Sequence, residues 1–166
     1  LEANTVATYK TNLKTASSLQ DLKDCELIVE AIVERLDIKR NLFVELENLV
    51  PETTVLVTNT SSLSVTAIAA SLKRPAQFAG YHFFNPVPLM KVVEVIAGLK
   101  TNPEVCLRLT EFAKQMGHTP VMAQDTPGFI VNHAGRGYGT EALRIVSEGV
   151  AEASTIAICT SAEASS

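Results

Sequence analysis

The feature that most constrains the fold is a change of hydrophobic period in the first third of the chain. Residues Glu26–Val33 (ELIVEAIV) form a short apolar run with β-branched side chains, which predicts a buried strand. From Leu36 to Val50 the spacing becomes helical. Leu42, Phe43, Leu46, Leu49 and Val50 fall on one side, and Pro51 stops the helix. Val55–Val57 is a second buried strand, ending in Thr58-Asn59-Thr60-Ser61-Ser62, and a short helix follows around Ser64–Leu72. Strand, helix, strand and helix in this order predict an α/β protein with a parallel sheet.

Phe78–Phe84 and Lys91–Ala97 are two further strands around a turn holding Asn85, Pro86 and Pro88. Pro103 opens a helix with Val105, Leu109, Phe112, Ala113 and Met116 on one face, and Gly117 ends it. Thr119–Ala123 is the last strand. Asp125-Thr126-Pro127-Gly128 reads as a joint, followed by a helix over Phe129–Ser147. The change from sheet to helix predicts two units, residues 1–125 and 126–166. The Ala/Ser/Thr-rich tail from Ala151 carries no assignment.

Bulk counts narrow the function classes. A length of 166 residues fits roughly one domain. With 46% hydrophobic residues and a net charge of −4, the chain is expected to fold, and it has no basic footprint for nucleic acid. All 8 glycines lie at or beyond Gly80, so the preceding residues hold no glycine-rich phosphate loop. Gly135-Arg136-Gly137-Tyr138-Gly139 fails as one, because it lies in a helical stretch and Thr140 takes the third glycine's place. The longest uncharged stretch, Thr53–Leu72, is half Ser, Thr and Asn, so no membrane span is expected. The first residues, lacking Met, do not resemble a signal peptide or a natural beginning. Cys25, Cys106 and Cys159 are odd in number and widely spaced, against a disulfide framework or a zinc site. A reducing, cytoplasmic setting is expected.

In an open parallel sheet, ligands gather beyond the C-terminal strand ends, where Asn59–Ser62 fall. The more ordinary reading of these residues, from position alone, is a helix cap. His82 and Glu94 are symmetric about Pro88, so a hairpin makes them direct cross-strand neighbours. A carboxylate beside an imidazole fixes its tautomer, as a general base requires, and equally makes a structural ion pair. His118, after Gly117, reads as solvated. His133 forms no metal-ligand pattern with the other histidines.

Four stretches together, IVEAIVERLDIK (Ile28–Lys39), TNTSSLSVTAIA (Thr58–Ala69), GYHFFNPVPLMKVVEVI (Gly80–Ile96) and DTPGFIVN (Asp125–Asn132), resemble the 3-hydroxyacyl-CoA dehydrogenase family. The resemblance spans roughly residues 20 to 155. It implies the C-terminal part of a Rossmann-like, mostly parallel sheet, followed by the start of a helical domain that makes a homodimer and completes the acyl pocket. It implies NAD as cofactor and an acyl-CoA substrate. By the same resemblance His82 is the catalytic base, Glu94 orients it, and Ser61 and Asn132 hold the substrate's reacting end. Glu34, Lys39, Asn85 and Ser61 contact the cofactor.

The chain also departs from the family pattern. The opening strand, glycine-rich turn and helix are missing, His133 stands where the family usually has Arg, and Ile158–Ser166 does not match the family's continuation. These departures suggest a fragment. The alternatives to an active dehydrogenase are an inactive fragment and a crystallin-like, non-catalytic relative.

Overall fold

The computed structural model describes residues 3–163. Five strands form one sheet in the order β1 (Leu27–Glu30), β2 (Val55–Thr58), β3 (Phe78–Phe83), β4 (Val92–Ala97) and β5 (Thr119–Gln124). The pairs β1–β2, β2–β3 and β4–β5 are parallel, and β3–β4 is an antiparallel hairpin. Helix α1 (Ala3–Asn12) precedes the sheet, and α2 (Leu36–Leu49) joins β1 to β2. α3 (Val65–Ala69) lies between β2 and β3, and α4 (Pro103–Gln115) crosses from β4 to β5. Helices α5 (Val131–Ser147) and α6 (Ala153–Glu163) follow.

The period-2 alternation of each strand divides the core between two faces. Ile28, Leu56, Phe78 and Ile96 pack with Phe43 and Leu46 of α2, with Val50 just after it, and with Val65 and Ile68 of α3. Val55, Val57, Ala79, Tyr81, Val93 and Val95 face Val105, Leu109 and Ala113 of α4. Phe43 and Phe78 meet edge to face at 4.7 Å across the first face, a contact worth about 0.5–1.5 kcal/mol beyond burial. The α/β sheet read from the period change is present, and it is mostly parallel and Rossmann-like, as the family resemblance implies. So is the hairpin register, which sets His82 opposite Glu94.

Four expectations need correction. The first strand stops at Glu30, because that carboxylate turns back to accept the Ile32 N–H at 2.6 Å and ends the extended run. The last long helix starts at Val131 rather than Phe129, since Phe129 has a left-handed φ of 48° that no α-helix accommodates. The tail, left without structure above, forms α6 over Ala153–Glu163. Its alanines favour helix although no amphipathic period announces it. His118 is not simply solvated: it is partly buried, its ring edge-on to Phe83 at 5.6 Å and Nε2 3.3 Å from the Val87 carbonyl. The glycine cluster at Gly135–Gly139 does lie within α5. Cys25 and Cys106 are free thiols, and the side chain of Cys159 lies outside what is described. Residues 164–166 of the divergent tail also lie outside the described residues. No helix among the described residues is long and apolar enough to cross a membrane.

Candidate active site

The C-terminal ends of β1, β2 and β3 share one edge of the sheet and bring Glu30, Thr58 and His82 there on the α2/α3 face. The hairpin returns Glu94 to the same place from β4. His82 Nδ1 lies 2.7 Å from Glu94 Oε2, with Glu94 fully buried and His82 5% exposed. The other carboxylate oxygen, Oε1, accepts the backbone N–H groups of Ile130 and Val131, each at 2.9 Å. Two backbone donors at the start of α5, where the helix dipole is positive, offset the cost of burying that charge. Glu94 therefore holds the proton on Nδ1, and no described hydrogen bond engages Nε2. Phe84 and Phe129 wall the imidazole at ring distances of 4.4 and 5.7 Å.

Ser61 and Asn132 come to this edge on separate segments. Asn132 Nδ2 donates to the Ser61 carbonyl at a long 3.4 Å. No described hydrogen bond engages Ser61 Oγ. Of the two readings open for Asn59–Ser62, the helix cap goes elsewhere. Ser64 Oγ accepts the Ala67 N–H at 3.1 Å, while the Asp125 carboxylate accepts from Ser64 Oγ (2.7 Å), Val65 N–H (2.9 Å) and Thr66 N–H (2.7 Å). Asn59 ties strand ends together, its Oδ1 accepting the Phe83 N–H at 2.8 Å.

Glu34 anchors the Ser61 segment. Its Oε1 accepts from Thr60 Oγ1 at 2.5 Å, from the Ser61 and Ser62 N–H groups at 3.0 and 3.2 Å, and from Ser62 Oγ at 3.0 Å. Partial burial works against its ionisation. The donors from Thr60, Ser61 and Ser62, with the Lys39 charge, outweigh it and hold the carboxyl below its ordinary range. Lys39, 1% exposed, lies 3.3 Å from Glu34 Oε2 and 2.6 Å from Glu30 Oε1. Asn85 stands apart, exposed at the hairpin tip before a cis bond to Pro86, with no described hydrogen bond to this group.

A family model described as "3-hydroxyacyl-CoA dehydrogenase, NAD binding domain" matches residues 1–126. The chain belongs to that family. Among curated relatives of this dehydrogenase domain, it is 48% identical over 140 residues to the probable 3-hydroxybutyryl-CoA dehydrogenase of Deinococcus radiodurans, covering 84% of this chain and 50% of the relative. It is 46% identical over 151 residues to the 3-hydroxyadipyl-CoA dehydrogenase of Escherichia coli K12, covering 91% of this chain and 32% of that one. Among solved structures, the 3-hydroxybutyryl-CoA dehydrogenase of Escherichia coli K12 superposes with a TM-score of 0.88 at 46% identity, over 91% of this chain and 32% of the other. The chain thus spans a third to a half of the length of these relatives.

The cofactor of this NAD-binding family is NAD, and the residues present fit part of it. Glu34 Oε2 has Lys39 as its one described partner, and the Glu34 side chain is 36% exposed. It is an acceptor open to a ribose hydroxyl, beside a fixed cationic donor. For the pyrophosphate, no glycine-rich turn occurs among the residues before Gly80.

The sequence reading missed two residues here. Glu30 is buried with its carboxylate at the centre of the Lys39 contact, and Asp125 holds the start of α3 at Ser64, Val65 and Thr66. The first has a sequence signal: a carboxylate at the inward position two residues after Ile28 must find a counter-charge. For Asp125 no local signal exists, because its partners lie about 60 residues away.

Proposed function

We propose that this sequence carries the reacting centre of an NAD-dependent 3-hydroxyacyl-CoA dehydrogenase, which oxidises an (S)-3-hydroxyacyl-CoA thioester to the 3-oxoacyl-CoA. The observation that carries the reading is the 2.7 Å contact between His82 Nδ1 and buried Glu94, which leaves Nε2 as the basic nitrogen. A secondary alcohol is too weak an acid to ionise alone near neutrality, so a base must take its proton as the hydride leaves. Nε2 of His82 takes the 3-hydroxyl proton, and Glu94 stabilises the imidazolium that forms. Ser61 Oγ and Asn132 Nδ2 donate to the substrate oxygen as its charge changes. Phe84 and Phe129 exclude water from the imidazole. NAD, when bound, supplies the hydride acceptor. Glu34, Lys39, Asn85 and Ser61 hold its nicotinamide side.

Residues 1–125 act as part of the cofactor domain, and residues from 126 onward begin a helical unit that makes a homodimer in the cytoplasm. The test follows NADH oxidation by acetoacetyl-CoA at the nicotinamide absorbance, in a chain of the relatives' length carrying this sequence. His82→Gln should lower kcat by about 10²–10⁴-fold. An unchanged rate overturns the mechanism, and a folded wild-type chain without turnover supports the non-catalytic alternative.

A further inference from the structure

Lys39 is buried between two carboxylates, and the two contacts are unequal. Nζ lies 2.6 Å from Glu30 Oε1 and 3.3 Å from Glu34 Oε2, with the Ile32 carbonyl at 3.4 Å. Glu30 is itself fully engaged. Besides Lys39, Oε1 accepts the Ile32 N–H at 2.6 Å, and Oε2 accepts from Thr58 Oγ1 at 2.7 Å. Glu30 is 3% exposed, so it has no route to water, whereas Glu34 reaches solvent. A buried ammonium takes the nearest uncompensated carboxylate. With Glu30 neutral, Lys39 would close on Glu34 Oε2, drawing that carboxylate inward and out of the alignment in which its other oxygen, Oε1, accepts from Thr60, Ser61 and Ser62.

We propose that Glu30 is a positioning residue: by taking the short contact to Lys39, it leaves Glu34 free to hold the Ser61 segment and to face the cofactor. Glu30 touches neither substrate nor cofactor. It works through Lys39 and Glu34, and Thr58 fixes its angle. The consequence for NAD rests on the reading under Proposed function, whereas the effect on the Ser61 segment does not.

The test compares Glu30→Gln, Glu30→Asp and Thr58→Val with wild type. Amide hydrogen exchange reads Ser61 and Ser62, with α4 and the β3–β4 hairpin as internal controls, and calorimetric titration reads NADH affinity. Loss of one charge-assisted bond corresponds to about a ten- to hundredfold change in an equilibrium. Glu30→Gln should therefore raise exchange at Ser61 and Ser62 by at least about tenfold, leave the hairpin and α4 unchanged, and weaken NADH binding by a similar factor. Glu30→Asp should recover most of both effects. Thr58→Val, the milder change, should shift both the same way by a smaller factor. Should Glu30→Gln not fold, Thr58→Val carries the test. Exchange at Ser61 and Ser62 that stays at the wild-type rate overturns the proposal, as does a uniform rise that includes the hairpin. Faster exchange at these two amides with unchanged NADH affinity upholds the positioning role and overturns the cofactor-side assignment instead.

Discussion

Gly80 lies in β3 opposite Ile96, two residues before His82 on the same face of the strand. A Cβ there would stand 2.8 Å from Val65 Cγ2, 2.9 Å from Ile96 Cβ and 3.1 Å from Ile96 Cδ1. Ile96 Cβ is bonded to the partner strand's backbone and cannot swing away, so Gly80→Ala forces β3, β4 and Val65 apart. Overpacking of this kind costs about 1–3 kcal/mol, and the strand gains back about 0.5–1 kcal/mol from losing glycine's freedom. The net expectation is about 1–2 kcal/mol of destabilisation. That corresponds to a fall in Tm of roughly 3–8 °C for a chain of this size. Urea unfolding should show a lower midpoint with an unchanged slope. Val65→Ala removes the nearest of the three clashes, so the double variant should be more stable than the sum of the two single effects by about 0.5 kcal/mol or more. A Gly80→Ala protein with the wild-type Tm, or strict additivity with Val65→Ala, would refute the steric argument. The same displacement shifts His82, so turnover should fall even where the protein remains folded.

Three other outcomes follow from the geometry. Glu94→Gln keeps an oxygen for the Ile130 and Val131 N–H groups but turns an amide N–H toward His82. This forces the proton to Nε2, and kcat should fall by at least about 10²-fold with a smaller change in KM. Asp125 is pulled toward a higher pKa by burial, yet the bonds from Thr66, Ser64 and Val65 prevail and hold it below its ordinary value near 3.8. Its contribution is complete above that value and disappears as the pH falls through the lowered folded-state value. Asp125→Asn should cost about 1 kcal/mol at neutral pH, discounted for its partial exposure, and the deficit in chemical unfolding should shrink below pH 4. Tyr81, whose hydroxyl donates to the Leu109 carbonyl at 3.1 Å, is pushed up to about 12 by burial. Its contribution is intact below pH 10 and is lost as the pH climbs toward 12. The difference in tyrosinate absorbance between wild type and Tyr81→Phe measures it.

The strands and the hairpin register were legible because they rest on local patterns. The apolar runs at Leu27–Glu30 and Val55–Thr58 carry β-branched residues, and the symmetry of His82 and Glu94 about Pro88 fixes which residues face each other. Helices α1 and α6 were not legible, since neither has an apolar stripe and only composition favours them. At the site, the His82–Glu94 contact could be read from spacing. The division of labour between Glu30 and Glu34 could not. Both are carboxylates near one lysine, and only the distances of 2.6 and 3.3 Å, set by where β1 stops and α2 begins, distinguish them. The cap at α3 was not legible for a related reason: Asp125, its main acceptor, enters from the end of β5.

The single antiparallel pair in the sheet also grades the site by loop length. His82 and Glu94 are separated by 12 residues, Glu34 and Thr60 by 26, and Ser61 and Asn132 by 71. Chain entropy charges the longest of these closures about 1.6 kcal/mol more than the shortest. The imidazole–carboxylate contact is thus the cheapest to close, held by a hairpin that needs no crossover helix. The Ser61–Asn132 contact is the most costly, and it is also the longest hydrogen bond of the three, at 3.4 Å. Topology therefore makes the His82–Glu94 pair the rigid end of the site and the Ser61–Asn132 contact its adjustable end.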